Sequence, residues 1–270
     1  MRILIHLSDL HFGRINPPIL NPLIAFVRET KPDLVAISGD FTQRARTVEY
    51  LAAREFLDQI PFPKIVVPGN HDVPLRNLFL RFVHSLDSYR RYICDDLQPF
   101  FSDEEIAVAG VNTARARTWK DGRINQQQLS KLRATFRALK GNQTRIVVTH
   151  HPFDLPTGAH GAIVGRSRLA MKTLAECQVD MLLAGHFHIA DICHTARRYN
   201  MPGFSALIVS SGTSTSTRAR GQPNSLNVIH IQEATITIDR RVWGADASAF
   251  ALASSERFQR SKNGWIREEA

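Results

Sequence analysis

Five short apolar runs constrain this chain more than any other feature, because each of them stops at polar residues with chemically capable side chains. The runs cover residues 3–7, 34–37, 65–67, 146–149 and 181–184, and Leu, Ile and Val dominate them. Continuous apolar runs of this length are typical of strands that are buried on both faces of a sheet. The sequence therefore predicts an open sheet whose strand ends carry polar side chains.

Helix-like segments separate these runs. Helices are predicted near residues 17–29, 47–59, 75–92, 126–139 and 166–177, the first of them opened by two prolines. Strands that alternate with helices indicate β-α-β units. The first two thirds of the chain are therefore expected to form such units.

The pattern changes after residue 189. Short β-like runs at residues 207–210, 226–231 and 234–242 replace the strand–helix alternation, and residues 235–238 alternate with the period of a half-buried strand. The last third is expected to be mostly antiparallel. The predicted fold class is therefore α/β with a mixed α+β character.

The domain organisation follows from the same patterns. Residues 1–245 are predicted to form one domain, and residues 246–270 a basic C-terminal tail that is either partly helical or frayed. A chain of 270 residues that is 43% hydrophobic is large enough to bury a sizeable core.

The polar residues at the strand ends include two aspartates, one asparagine and four histidines that can bind metal ions. They are Asp9, His11, Asp40, Asn70, His150, His186 and His188. Because the carboxyl ends of strands in an open α/β sheet gather at one edge, we expect these residues to converge. Mixed imidazole and carboxylate ligands suit Fe, Mn, Zn or Co, and this set is too large for one four-coordinate ion but suits two.

Two pairs in this set are spaced i, i+2. They are Asp9 with His11 and His186 with His188, and in extended backbone both members of each pair would project to the same side. Leu10 and Phe187 lie between the members and are expected to point into packing.

The ordered blocks resemble the signature of a known family. They read Asp9-Leu10-His11, Gly39-Asp40, Gly69-Asn70-His71-Asp72, His150 and Gly185-His186-Phe187-His188. In this order they resemble the calcineurin-like metallophosphoesterase superfamily, and they look most similar to the class III cyclic nucleotide phosphodiesterases. The resemblance spans residues 9–188 and implies a four-layer αββα sandwich, in which two mixed β-sheets are flanked by helices.

The resemblance also implies the cofactors, two divalent transition metal ions such as Mn, Fe or Zn. The ligand sets it implies are Asp9, His11 and His188 for one ion, Asn70, His150 and His186 for the other, and Asp40 as the bridge. A hydroxide that bridges the two ions is the expected nucleophile on the phosphate, which the ions also polarise.

In the family pattern, the residue at the position of His71 is not a metal ligand. His71 is therefore predicted to stabilise the transition state and to act as a general acid, and Asp72 to orient His71 or keep it protonated. Arg14, His151 and His160 are candidate substrate contacts, and the polar stretch at residues 210–225 is a candidate loop over the site.

The leading functional prediction is a phosphodiesterase for 3′,5′-cyclic nucleotides or similar small diesters. A hydrolase of lipid-linked or nucleotide-sugar phosphates, of the UDP-diacylglucosamine pyrophosphatase type, is the main alternative. A DNA nuclease is disfavoured because such members usually carry an extra DNA-capping domain, for which 270 residues leave little room. A non-catalytic scaffold would be expected to have lost metal ligands.

Charge and composition bear on partners and location. The formal net charge of +9 suits anionic partners: a small phosphorylated substrate and, as a hypothesis, peripheral contact with an anionic membrane. No stable nucleic-acid partner is expected, and a homodimer is a hypothesis because similar proteins are often dimers. Three scattered cysteines, no apolar stretch of about 18 residues and no recognisable signal peptide predict a cytoplasmic protein.

Overall fold

The computed structural model describes residues 1–75, 78–218 and 221–268 of the chain. The strands within these residues are β1 (Arg2–Leu7), β2 (Leu34–Ile37), β3 (Lys64–Val66), β4 (Phe100–Ser102), β5 (Ile106–Gly110), β6 (Thr144–Val148), β7 (Met181–Ala184), β8 (Asp191–His194), β9 (Leu207–Ser210), β10 (Ser225–Ile231), β11 (Thr235–Gly244), β12 (Ala249–Ser261) and β13 (Gly264–Arg267). The α-helices are α1 (Leu20–Thr30), α2 (Thr47–Asp58), α3 (Leu78–Val83), α4 (Asp87–Tyr92), α5 (Gln126–Arg137) and α6 (Ser167–Glu176).

These strands form two mixed sheets. The first has the order β13-β12-β11-β10-β1-β2-β3, and the second has the order β4-β5-β6-β7-β9-β8. Strands β1, β2 and β3 run parallel, as do β5, β6, β7 and β9, whereas β10 to β13 are antiparallel to their neighbours. The expected change from β-α-β units to antiparallel strands is therefore confirmed.

Three apolar clusters hold the layers together. Leu4 of β1 packs between the sheets with residues such as Ile146 of β6, whereas the adjacent Ile5 packs outward against α1 and α2. On the other side, Val147 of β6 packs against α5 and α6. Both faces of the central strands are buried, which explains why their sequences are continuously apolar. The four-layer αββα architecture that the family resemblance implies is confirmed.

One predicted helix and the predicted C-terminal tail differ from the structure. The single helix predicted at residues 75–92 is wrong, because α3 and α4 are separate; residues 76 and 77 of that prediction lie outside the described residues. Leu86 leaves the helical conformation, with φ of −126° and ψ of 14°, and packs into the core between α2 and the first sheet.

The C-terminal segment is neither helical nor frayed. Residues 249–261 form β12, which pairs along its length with β11, and β13 completes the edge of the first sheet. Phe258 and Trp265 join the core between the sheets, while most other side chains of β12 are exposed. That exposure is why the strand reads as a polar tail in the sequence. A domain boundary at residue 245 stays a prediction, and residues 269 and 270 lie outside the described residues.

None of the helices in the described part of the chain has the length and apolarity needed to span a bilayer. The three cysteines are all free thiols, and Cys177 is buried.

The packing of β12 generates a stability prediction. Phe258 is 1% exposed and lies opposite Ile236 in the strand register, so Phe258→Ala should lower the free energy of unfolding by about 3–5 kcal/mol. Leu252→Ala on the same strand is the matched control, because Leu252 is 51% exposed and should change stability by less than about 0.5 kcal/mol. Urea unfolding measures both values, and equal effects would contradict an integral β12.

Candidate metal centre

The seven predicted ligands converge where the carboxyl ends of the parallel strands of both sheets meet. Asp9 and His11 follow β1, and Asp40 follows β2. Asn70 begins a single 3-10 turn shortly after β3, His150 follows β6, and His186 and His188 follow β7. The two sheets therefore each supply part of one cluster, and the expected convergence is observed.

One group of ligand atoms surrounds Asp9. Its Oδ1 lies 3.2 Å from His188 Nε2 and 3.6 Å from His11 Nε2, and the two Nε2 atoms are 3.1 Å apart. Ligands about 2.1 Å from one ion lie roughly 3.0–3.4 Å from one another, so these separations suit a shared cation.

A second group surrounds His150. Its Nε2 lies 3.2 Å from Asn70 Oδ1, 3.3 Å from His186 Nδ1 and 3.4 Å from Asp40 Oδ2. The same Oδ2 of Asp40 lies 3.6 Å from His11 Nε2, in the first group. One carboxylate oxygen therefore faces both groups, as a bridging ligand must.

Hydrogen bonds fix which ring nitrogen each histidine presents. His188 Nδ1 donates to the carbonyl of Arg218 at 2.9 Å, His150 Nδ1 to that of Ser38 at 2.7 Å, and His11 Nδ1 approaches the carbonyl of Thr42 at 3.4 Å. A proton on Nδ1 leaves the lone pair on Nε2, which is the nitrogen that faces the cluster. His186 instead turns Nδ1 inward.

Within the described part of the chain, one buried carboxylate oxygen of the cluster lacks a hydrogen-bond donor, as expected where a cation binds. Asp9 Oδ1 is buried and has no hydrogen-bond partner among the described residues. The lone pairs of His11 and His188 converge on that oxygen, and without positive charge between them such groups repel. An unsatisfied carboxylate oxygen among imidazole lone pairs therefore fits a divalent transition metal.

The pKa shifts within the cluster also indicate that positive charge is stabilised there. Burial raises the pKa of Asp40, but the imidazoles of His150 and His71 outweigh it and hold that pKa well below its usual range. Burial lowers the pKa of His150, yet Asp40 raises it to about 9, whereas burial and His150 lower the pKa of His186 to about 3. The buried carboxylate of Asp40 therefore stabilises positive charge in the space beside His150, as a cation site requires.

Close approach explains two of the glycines in the motifs. Gly39 has a φ of +90°, and a Cβ there would lie 2.6 Å from His150 Nδ1. A Cβ on Gly69 would overlap Asp40 Oδ1. Neither position tolerates a side chain while Asp40 and His150 keep their places.

The residues of the two i, i+2 pairs do not have extended backbone. Asp9, His11, His186 and His188 all have positive φ, between +50° and +76°. The two members of the second pair consequently point to different groups, His186 towards His150 and His188 towards Asp9. The expectation that they project to one side is wrong for this pair, although Leu10 and Phe187 are buried as expected.

His71 lies at the mouth of the cluster. Its Nδ1 donates to the carbonyl of Gln43 at 2.8 Å, and its backbone amide donates to Asp40 Oδ1 at 2.8 Å. The outward Nε2 is 2.9 Å from Nη1 of Arg218. Nε2 of His71 therefore faces Arg218 and not a backbone carbonyl.

Asp72 does not contact the ring of His71. Its carboxylate instead accepts bonds from the backbone amides of Gly69, Phe41 and Thr42 and from the hydroxyl of Thr42. Asp72 therefore does not orient His71 through a hydrogen bond to its ring, and an effect of Asp72 on the protonation of His71 stays a prediction. The carboxylate ties the loop after β2 to the loop after β3, and so holds Asp40 beside Asn70.

The three predicted substrate contacts have different positions. His160 lines a cleft of about 260 Å³ with Asp40, His71 and His186. Arg14 is exposed and is not part of that lining. His151 is fully buried, with Nδ1 accepting from Thr113 Oγ1 at 2.8 Å and Nε2 donating to the carbonyl of Lys120 at 2.9 Å. A direct substrate contact by His151 is therefore wrong, and it supports the cleft wall instead.

Sequence reasoning missed two cationic residues of the cleft, Arg218 and Lys120. Arg218 lies in the stretch at residues 210–225 that the sequence marks as a candidate loop over the site. Thr213 and Thr215 of that stretch donate to the carbonyls of Asp9 and Leu10 at 2.7 and 2.6 Å, so its described part does cover the first ligand loop. Residues 219 and 220 lie outside the described residues. No motif marks Lys120.

This fold and ligand arrangement define a metallophosphoesterase. The model of the calcineurin-like phosphoesterase family matches residues 1–190, and the chain belongs to that family. The expectation drawn from the ordered motifs is therefore confirmed.

Individual relatives add detail. The chain is 27% identical to the glycerophosphodiester phosphodiesterase of Enterobacter lignolyticus over 58% of each chain, so it spans little more than half the length of that relative. It is 24% identical to a probable cyclic nucleotide phosphodiesterase of Synechococcus over 69% of this chain and 73% of the relative. The structure of a purple acid phosphatase from yellow lupin shares the fold, with a TM-score of 0.72 and 12% identity over 95% of this chain and 53% of that one.

The bridging position of Asp40 generates a prediction on metal content. Asp40→Ala should lose most of both ions after loading with Mn²⁺, because its Oδ2 faces both groups, whereas Asp9→Ala should lose about one ion per chain. Asp58→Ala is the matched control, an exposed carboxylate paired with Arg54. Elemental analysis of the gel-filtered proteins gives the ratios, and full retention of both ions by Asp40→Ala would contradict a bridge.

Proposed function

We propose that this chain hydrolyses phosphodiester bonds in small anionic substrates, with 3′,5′-cyclic nucleotides as the leading class. The observation that carries the proposal is the one oxygen of Asp40 that faces both ligand groups, with His71 at their mouth. Relatives named as phosphodiesterases for cyclic nucleotides and for glycerophosphodiesters support it. The cleft of about 260 Å³ is small for a binding pocket, which favours a small diester over a polymer.

The site residues are proposed to hold two divalent transition metal ions. Asp9, His11 and His188 would hold one, Asn70, His150 and His186 the other, and Asp40 would bridge them. When bound, such ions polarise a phosphoryl oxygen and make water a nucleophile at neutral pH.

The remaining steps belong to side chains at the cleft. The bond from His71 Nδ1 to the carbonyl of Gln43 holds the ring so that Nε2 faces the cleft. Since Nδ1 keeps its own proton, Nε2 is proposed to bind a second proton from water and to give it to the departing alkoxide. Nη1 of Arg218 lies 2.9 Å from this nitrogen, and the guanidinium is proposed to turn to the phosphate, whose oxygens it can bind in a bidentate way.

A second candidate function is the hydrolysis of a lipid-linked phosphate. The observation that favours it is Trp119, which is 51% exposed and directly precedes Lys120 in the cleft wall. An exposed aromatic side chain at this place suits a substrate with an apolar portion.

The proposal is tested on substrates with Mn²⁺ bound. We expect cyclic AMP and a model aryl diester to be hydrolysed at least roughly tenfold faster than the matching aryl monoester. A glycerophosphodiester, a lipid-linked pyrophosphate and single-stranded DNA complete the panel. The measurement is the cleaved product separated by chromatography: AMP from cyclic AMP, the freed alcohol from the other diesters, the two monophosphates from the pyrophosphate, and shortened nucleotides from DNA. The metal-loaded protein failing on every diester would contradict the proposed function, and a preference for the lipid-linked substrate would favour the second candidate.

Substitutions of Arg218 and His71 are expected to change different kinetic constants. Arg218→Gln removes a charged contact with the phosphate and should raise KM by roughly tenfold or more, with both ions retained. His71→Ala should lower kcat by about 10²- to 10⁴-fold, also with both ions retained. Arg54→Gln, in an exposed ion pair, is the control for the loss of an arginine. Unchanged kinetics of His71→Ala on all diesters would show that another group supplies the proton.

A further inference from the structure

Three apolar side chains of helix α3 face solvent. Phe79, Phe82 and Val83 are 67%, 55% and 59% exposed, and their i, i+3 and i+4 spacing places them on one side of the helix. A surface helix normally turns such residues towards the core and leaves its charged residues outside. Among the residues of α3 whose side chains are described, the three apolar ones are exposed and the arginine is buried.

The contacts of Arg81 explain this orientation of the helix. Its side chain is buried and donates to the carbonyls of Ala116 at 2.7 Å, Pro74 at 3.0 Å and Thr118 at 3.4 Å. Its guanidinium also lies 4.4 Å from the ring centre of Trp119, which is itself 51% exposed. These buried contacts fix the orientation of the helix, and that orientation exposes its apolar side chains. The exposed residues next to Arg81 are Phe79, Phe82, Val83 and Trp119. We call these four residues the aromatic patch.

Arginines border the aromatic patch. Val83 lines a cavity of about 580 Å³ together with Arg90, Arg115, Arg117 and Arg123, which we call the arginine rim. The acidic residue among the lining groups is Asp87, whose carboxylate is bonded to His84 at 2.6 Å. The rim therefore carries an excess of positive charge next to exposed aromatic side chains.

We infer that the aromatic patch and the arginine rim form a docking surface for an anionic lipid membrane. Aromatic and aliphatic side chains enter the boundary between headgroups and acyl chains, where tryptophan is particularly stable, while arginines bind anionic headgroups. Trp119 directly precedes Lys120 of the cleft wall, so docking places the mouth of the metal centre at the level of the headgroups.

Charge favours a membrane over a second copy of this chain as the occupant. A two-fold dimer through the patch is self-complementary, so it would bring the arginine rims of both copies towards each other. The formal net charge of +9 adds to that repulsion and to the attraction of an anionic bilayer. The surface is therefore complementary to anionic lipid and not to itself.

Binding to vesicles tests the inference on the full-length, metal-loaded protein. We expect it to sediment with vesicles of phosphatidylglycerol and phosphatidylcholine, but not with vesicles of phosphatidylcholine alone, and to be released at high salt. The chain has three tryptophans, of which Trp265 is 3% exposed and Trp243 is partly buried against Phe250. A blue shift of emission on binding should therefore come mainly from Trp119. Trp119→Phe should bind the vesicles and lose most of that shift.

Variants separate the two parts of the surface. Phe79→Ser with Phe82→Ser should weaken partitioning into vesicles by roughly tenfold or more, and Arg117→Gln with Arg123→Gln by about fivefold for each arginine. Leu51→Ser with Leu252→Ser, at positions that are 52% and 51% exposed elsewhere on the chain, is the matched control and should bind like the parent protein. Circular dichroism and thermal unfolding confirm that each variant is folded.

Three results would overturn the inference: no sedimentation with anionic vesicles at low salt, equal losses for the patch and control variants, or a solution dimer that Phe79→Ser with Phe82→Ser dissociates. The last would make a second copy the occupant. Vesicle binding does not require turnover, so it can succeed or fail independently of the proposed function.

Discussion

The buried carboxylate of Asp40 is the group on which the candidate site depends. Its Oδ2 lies between His150, carried by the second sheet, and His11, carried by the first, while its Oδ1 accepts the backbone amide of His71. The two sheets pack face to face through a continuous apolar core, and this packing sets the distance between their ligands. Any sliding of one sheet over the other would separate His150 from Asp40, so the core between the sheets also determines the metal geometry.

The ligand loops store backbone strain. Asp9, His11, Asp40, His186 and His188 all have positive φ, a region that residues with side chains enter at a cost of about 1–3 kcal/mol each. Such conformations persist only where neighbouring contacts fix them. Asp72 supplies several of these contacts through the loops after β2 and β3, and Thr213 and Thr215 hold the loop after β1. Their bonds keep the ligands in place without occupying the ligand atoms, and bound cations would offset the remaining cost.

The central strands and the ligand set could be predicted because both have local signatures: apolar runs buried on two faces and short motifs at their ends. Strand β12 lacked such a signature, since only a few side chains such as Phe258 face the core. The true partner of Asp72 is a set of backbone amides, and a sequence does not display where amides point. Arg218 reaches His71 from 147 positions along the chain, a contact set by the packing of the loop after β9 rather than by any motif.

The outer surface and the metal centre are joined through the same segments. Arg81 bonds the carbonyl of Pro74, just beyond His71, and that of Thr118, just before Lys120, whose own carbonyl binds His151. Helix α3 is therefore tied to the two segments that border the cleft. The metal ligands themselves lie at the strand ends behind these segments and are fixed by the two sheets. The surface around α3 and the cleft wall are therefore built from one set of backbone bonds, whereas the metal ligands depend on the packing of the sheets.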